Sequence, residues 1–227
     1  MPQVFRSTDR ADRRDQVLLP LPRCTCYICS GCNFYCCQTE NTEVAYLTHG
    51  RIIIITGSPG TGKTTTASIV AKESDLEKSV HIHTDDFYHY LSKGAVPPHL
   101  PESNEQNHVV IEAFLEAAKR YAQGGYDVIA DGIIGPWFLS PWLNAAREGY
   151  EIHYIVLRAD KEVTMKRAVG RSKADSETNA ALVEAMWGQI CDLGEYESNV
   201  VDTTAPTVED TVLAVKKKIA IGEALLS

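Results

Sequence analysis

The sequence predicts an α/β fold, an open parallel sheet wound with helices on both faces. Two observations carry that reading. From His49 onward, short apolar runs alternate with stretches of helical period, the pattern of repeated strand–helix–strand units. The apolar run Arg51-Ile-Ile-Ile-Ile-Thr56 also leads straight into Gly57-Ser58-Pro59-Gly60-Thr61-Gly62-Lys63-Thr64-Thr65. That turn has the spacing G-x-x-x-x-G-K-[ST], which needs a strand before it and a helix after it.

Taken in order, the first strand spans Arg51–Thr56, and the helix after the loop runs to about Glu73. The second strand is Ser79–Thr84, followed by Asp85-Asp86-Phe87-Tyr88 and a proline-bearing connection from about Lys93 to Ser103. Val109, Phe114, Ala117, Ala118 and Tyr121 recur near helical spacing within Glu105–Gln123, and Gly124-Gly125 stops that helix. The third strand is Tyr126–Ala130, a short helix covers Leu139–Glu148, and the fourth strand is Glu151–Leu157. Helices follow at about Lys161–Val169 and Glu177–Leu193, then a fifth strand at Asn199–Val201 and a last helix at about Val208–Leu225. There is no internal repeat.

A chain of 227 residues, 44% of them hydrophobic, has the size of one such domain plus an appendage. Residues 47–227 form the domain and residues 1–46 the appendage, a poorly structured extension that is polar, charged and then cysteine-rich. The net charge of −8 argues against a long polyanion or a membrane surface as partner, because both recruit basic faces. No apolar run is long enough to span a bilayer. Met1–Arg23 lacks the apolar core of a secretory signal, and Asp9, Asp12 and Asp15 between its arginines do not suit a mitochondrial presequence. A cytoplasmic location is expected. Six of the seven cysteines lie between Cys24 and Cys37 rather than through the body of the chain, which speaks for a reducing compartment. Cys26, Cys29, Cys32 and Cys36 offer four thiolates to zinc or an iron–sulfur cluster. Zinc knuckles instead hold two cysteine pairs apart across a longer loop, so a metal-free extension is the stronger reading. Cys191 reads as a helix core residue.

The loop carries the chemistry. Gly57, Gly60 and Gly62 open backbone conformations in which successive N–H groups curl around an anion. Lys63 reaches the outer phosphates, the Thr64 hydroxyl is the expected Mg²⁺ ligand, and the following helix adds its positive end. Ser58, Pro59, Thr61 and Thr65 complete the nucleotide-binding stretch. Ligands of open α/β sheets sit beyond the carboxyl ends of the strands, and acids fall there: Asp85 and Asp86, Asp131, and Asp202. Asp131, closing an apolar strand, reads as the metal-side acid. Gly132 follows it where many motor-type ATPases place a water-activating Glu, and no Asn-Lys-x-Asp run marks a guanine site. Asp85 is the candidate base for an attacking hydroxyl, with Asp86 as the alternative; continued strand geometry would point them to opposite sides. Asp85, Asp86, Tyr88 and Trp137 are candidate acceptor-binding residues, within an aromatic group that also includes Phe87, Phe138 and Trp142. His81, His83 and His153 read as core histidines of strands.

The loop, the His-Thr-Asp85-Asp86-Phe-Tyr segment and the stretch Leu157-Arg-Ala-Asp-Lys-Glu-Val-Thr-Met-Lys-Arg167-Ala-Val-Gly-Arg171 resemble small P-loop kinases. These are the chloramphenicol-phosphotransferase-like, gluconate-kinase-like and polynucleotide-kinase-like proteins, often labelled AAA-family ATPases. The resemblance covers about residues 50 to 215. It implies a P-loop sandwich with a five-stranded sheet of order 2-3-1-4-5, which places Asp131 near the metal. It further implies that Asp85 meets the substrate hydroxyl and that Arg167 and Arg171 clamp the phosphates beside a lid at 172–179. The expected activity is ATP- and Mg²⁺-dependent phosphoryl transfer to a hydroxyl of a small molecule. Two rivals stand beside it: an ATP-binding regulator without an acceptor, and a nucleic-acid 5′-hydroxyl kinase, against which the acidic balance counts. The sequence does not specify an oligomeric state.

Overall fold

The four isoleucines after Arg51 form the middle of the sheet. In the computed structural model, which describes residues 25–28, 35–38, 50–169 and 176–227, Ile52–Thr56 is strand β1, and all five residues are buried. Ile52 and Ile54 pack on one side with Phe114, Ala118 and Trp142. Ile53 and Ile55 pack on the other with Ala67, Val70, Val215 and Ile219. Side chains alternate across a strand, so only a strand covered on both faces needs an unbroken apolar run.

Around β1 the chain adds helix α1 (Lys63–Lys72), β2 (Ser79–His83), α2 (Thr84–His89) and α3 (Asn104–Gln123). Then come β3 (Asp127–Asp131), α4 (Ser140–Arg147), β4 (Ile152–Arg158), α5 (Lys161–Val169), α6 (Ser176–Ile190), β5 (Val200–Asp202) and α7 (Val208–Ala220). The five strands are parallel in the order β2-β3-β1-β4-β5, as the family resemblance implied. The expected elements therefore all form, with two departures. Residues 84–89 turn into a helix at once, so Asp85 and Asp86 are neighbours in its first turn and not opposed residues of a strand. The last helix stops at Ala220, five residues early, where Gly222 takes a positive φ of 70°. The chain then returns antiparallel along β4: the Tyr154 amide donates to the Ala224 carbonyl (2.7 Å) and the Leu226 amide to the Ile152 carbonyl (2.8 Å). This tail covers the part of β4 that the three-residue β5 does not reach.

The chain divides into two compact units, Met1–Tyr46 and Leu47–Ser227. Within the first, Thr25–Ile28 and Tyr35–Gln38 form an antiparallel pair with Cys26 opposite Cys37. Cys29 and Cys32, half of the thiolate set weighed above, lie outside the described residues, as does Cys24. No helix among the described residues is long and apolar enough to cross a membrane.

The amino end of the sheet is fastened by a buried charge pair. Arg51 donates through Nε and Nη2 to the two carboxylate oxygens of Asp127, both at 3.0 Å, and its Nη2 also contacts Asp75. Ser74 Oγ donates to Asp127 at 2.5 Å. Asp127 is fully buried, so removing its guanidinium leaves a carboxylate without compensation. Arg51→Ala is expected to cost about 3–5 kcal/mol in chemical denaturation. The apolar pair Arg51→Met with Asp127→Leu should recover most of that loss.

Candidate active site

β1 ends at Thr56, and the loop that follows is shaped by its glycines. Gly57 takes φ 145°, and a Cβ there would lie 2.1 Å from the Leu157 carbonyl oxygen, so only glycine lets the loop turn against β4. Inside the loop the Ser58 carbonyl accepts from Thr61 Oγ1 (2.9 Å) and from Lys63 Nζ (3.0 Å). Gly62 at φ 92° caps α1, and no side chain satisfies the first amides. A helix start without a side-chain cap or an acidic residue in its first turn is an anion-binding end. A cavity of about 210 Å³ opens beside it, between the loop, Arg167 of α5 and the segment Thr203–Val208. Arg167 donates to the carbonyls of Thr203 (2.8 Å) and Thr204 (3.2 Å), so its guanidinium also fastens that segment. Arg171 lies outside the described residues. Of the expected lid at 172–179, the part from Ser176 belongs to helix α6.

Beyond β2 and β3 lies a larger cavity of about 870 Å³. Asp85 and Tyr88 of α2, the proline-bearing segment Ala95–Pro101, Trp137 and Phe138, and Met186 of α6 line it. Asp86, the next residue of the same turn, is exposed and does not line it. Among the described lining residues Asp85 is the single carboxylate, and none is Lys or Arg. Burial, and after it the Asp85 carboxylate, pushes the Tyr88 phenol up to about 12, so it remains a neutral donor. The aromatic group of the sequence separates here. Tyr88, Trp137 and Phe138 form walls, whereas Trp142 is fully buried and meets Phe114 edge-on at 6.2 Å. Phe87 packs on Phe114 as well, with ring centroids 5.1 Å apart.

Asp131 ends β3 beside Ile55 of β1 and His83 of β2. It is buried, and its Oδ2 has no hydrogen-bond partner. The Asp131 carboxylate and the exposed Thr64 hydroxyl are hard oxygen donors of the kind Mg²⁺ takes. The loop after β3 is pinned from two sides: the Ile134 amide donates to Thr56 Oγ1 (2.9 Å), and Tyr154 Oη donates to the Ile134 carbonyl (3.0 Å). Sequence reasoning had no access to these anchors, nor to the partner of Gly132. A Cβ on Gly132 would sit 1.9 Å from Thr84 Oγ1, so the buried Thr84 fills the place of a side chain after Asp131. Two further readings change. His81 and His83 are partly exposed and face Asp131 rather than the apolar core. Cys191 is exposed just past α6 and not in a helix core. His153 is buried as expected, with Nε2 2.9 Å from Glu151 Oε1. Asp202 is an exposed turn former whose Oδ1 accepts from the Thr204 amide at 2.8 Å.

A parallel sheet of order 2-3-1-4-5 with this loop after its central strand defines an ATP-binding P-loop kinase. The AAA domain model matches residues 53–187, and the chain belongs to that family of small P-loop kinases. It is 30% identical over 178 residues to the "Putative adenylate kinase" of Thermococcus kodakarensis, covering 75% of this chain and 86% of the relative. The APS kinase of Mycobacterium tuberculosis, solved with AMPPNP and APS, superposes with a TM-score of 0.58 at 14% identity, over 76% of this chain and 98% of that one. A gluconokinase from Sinorhizobium meliloti gives 0.54 at 17% identity, over 78% and 94%. These two likenesses are of fold.

The contact between Gly132 and Thr84 couples the two acid-bearing segments. Gly132→Ala is expected to lower stability by about 1–3 kcal/mol through overpacking. Thermal melting should show part of that loss recovered when Thr84→Gly is added, whereas additive losses would mean that the two residues do not share the space.

Proposed function

We propose that the chain transfers the γ-phosphoryl group of ATP to a hydroxyl of an uncharged, largely apolar small molecule. One observation carries the acceptor side: a cavity of about 870 Å³ whose described lining holds one carboxylate and no Lys or Arg. Adenylate, adenosine phosphosulfate and gluconate, the acceptors in the names of the relatives, are anions. An anion in that cavity would lie near the Asp85 carboxylate and meet no fixed positive charge among the described lining residues, with His89 and His99 as the titratable groups that could offset it. A neutral body with one hydroxyl directed at Asp85 fits the walls that Trp137, Phe138 and Met186 provide.

Phosphoryl transfer asks the protein for positioning and charge rather than covalent chemistry. The loop amides and Lys63 hold the phosphates in line with the acceptor, and Arg167 and Pro206 wall the side cavity for the rest of the nucleotide. Thr64 and Asp131 would hold Mg²⁺, which supplies positive charge to the β- and γ-phosphate oxygens. Asp85 accepts the proton of the attacking hydroxyl and orients its oxygen. Tyr88, held neutral, donates a hydrogen bond beside it. The absence of a Glu after Asp131, explained by Thr84, leaves no carboxylate at that position to activate water.

ADP release by the purified chain tests this reading, with AMP, gluconate, and pools of neutral hydroxyl compounds offered separately. Release with a neutral pool but not with the anions is expected; release with AMP alone would overturn the acceptor assignment. Lys63→Ala should abolish ATP binding in calorimetry. Asp85→Asn should keep ATP affinity while kcat falls by about 10²–10⁴. Equal loss of binding in both variants would refute the division of roles. Trp137→Ala should raise the acceptor KM and leave that of ATP unchanged.

A further inference from the structure

Beside the P-loop, strands β2 and β3 bring together three side chains that the proposed reaction does not use as a set. In the parallel register His83 lies opposite Asp131, and His81 is two residues back on the same face. Asp131 Oδ2 lies 3.1 Å from His83 Nδ1 and 3.5 Å from His81 Nε2. All three potential ligand atoms fall within 4.8 Å of one another. The imidazole rings are 4.4 Å apart between centroids and inclined at 45°.

From this arrangement we propose a second cation site, for a divalent transition metal of the zinc or cobalt class, with His81 Nε2, His83 Nδ1 and Asp131 Oδ2 as its ligands. The donor set argues for that class. Two imidazole nitrogens with one carboxylate suit zinc and its transition-metal neighbours, whereas Mg²⁺ takes oxygen almost exclusively. The spacing argues for it as well. Ligand bonds of 2.0–2.2 Å in a tetrahedral site put neighbouring donors about 3.3–3.6 Å apart, and the two His–Asp contacts, 3.5 and 3.1 Å, lie in or just below that range.

Hydrogen bonding leaves room for the ion. Asp131 Oδ2 and His81 Nε2 are buried atoms without a hydrogen-bond partner, despite their closeness. Such groups are costly to bury and call for a partner. The Asp131 side chain is 2% exposed, against 18% for His81 and 32% for His83, so the carboxylate anchors the floor while the imidazoles open to solvent. That opening provides both an entry path and room for water in the remaining coordination positions. The alternative is a plain histidine–carboxylate cluster that takes no metal.

The test uses the full chain, stripped with chelator and titrated with Co²⁺, and follows both bound cobalt per chain and visible absorption. Any cobalt held by the cysteines of the N-terminal unit would show thiolate charge-transfer bands in the near ultraviolet, so the readout is a difference between proteins. His81→Ala with His83→Ala is expected to bind one cobalt fewer than the wild type, with any thiolate bands unchanged. Equal stoichiometry and equal visible spectra in the two proteins would overturn the site. An ATP·Mg²⁺ thermal shift in the variant confirms that it folds. Should the double variant fail that check, His81→Gln and His83→Gln alone are each expected to weaken the site by roughly tenfold or more. Unchanged cobalt affinity in both would equally overturn it.

Discussion

The parallel register of β1 with its two neighbours is the constraint on which the site depends. Ile55 lies opposite both Asp131 and Ile155, so the loop after β1, the acid after β3 and the end of β4 arrive at one rim together. A slip of one residue would turn every side chain of a strand to the other face. The isoleucines would still be buried, because both faces are covered, but the loop after β1 would leave its place beside Asp131. Register must therefore be fixed by something other than the symmetric apolar run. The Arg51–Asp127 pair does this at the amino end of the sheet, and the Ile134 amide on Thr56 does it at the carboxyl end.

The two cavities divide the chemistry. The smaller one, beside the loop and Arg167, has cationic and amide character suited to a nucleotide. The larger one has aromatic and apolar walls with one carboxylate and no Lys or Arg among its described residues. Charge is thus concentrated on the donor side, where phosphoryl transfer needs it. Discrimination among acceptors falls to shape and to the hydrogen bonds near Asp85 and Tyr88.

Strand and helix identities were legible because each rests on local pattern: isoleucines in a run, Phe114 and Ala118 at helical spacing, glycines where a turn must form. The loop was legible for the same reason, since the residues it needs are consecutive. What stayed hidden depends on contacts across the chain. Asp85 and Asp86 read as the end of a strand, and nothing local announced that Thr84 would start a helix by wedging beside Gly132. Trp137 and Trp142 look alike in sequence, yet one walls a cavity and the other fills the core beneath Phe114. Cys191 follows Ile190 directly in sequence but lies beyond the end of its helix. His81 and His83 occupy alternate positions of a strand, as core residues would; only the neighbouring strand reveals that they face a carboxylate.

The seating of Thr84 against Gly132 has a mechanical meaning. With its side chain in the space of an absent Cβ, helix α2 is keyed to the end of β3 and moves with it. The carboxylates of Asp85 and Asp131 therefore ride on one stiff frame, and the separation between them is set by the sheet. Breathing of the larger cavity then falls to its other walls, the segment Ala95–Pro101 and the rim where Leu182 and Met186 of α6 stand. The molecule is built like a vice with one fixed jaw, and the fixed jaw carries the acids.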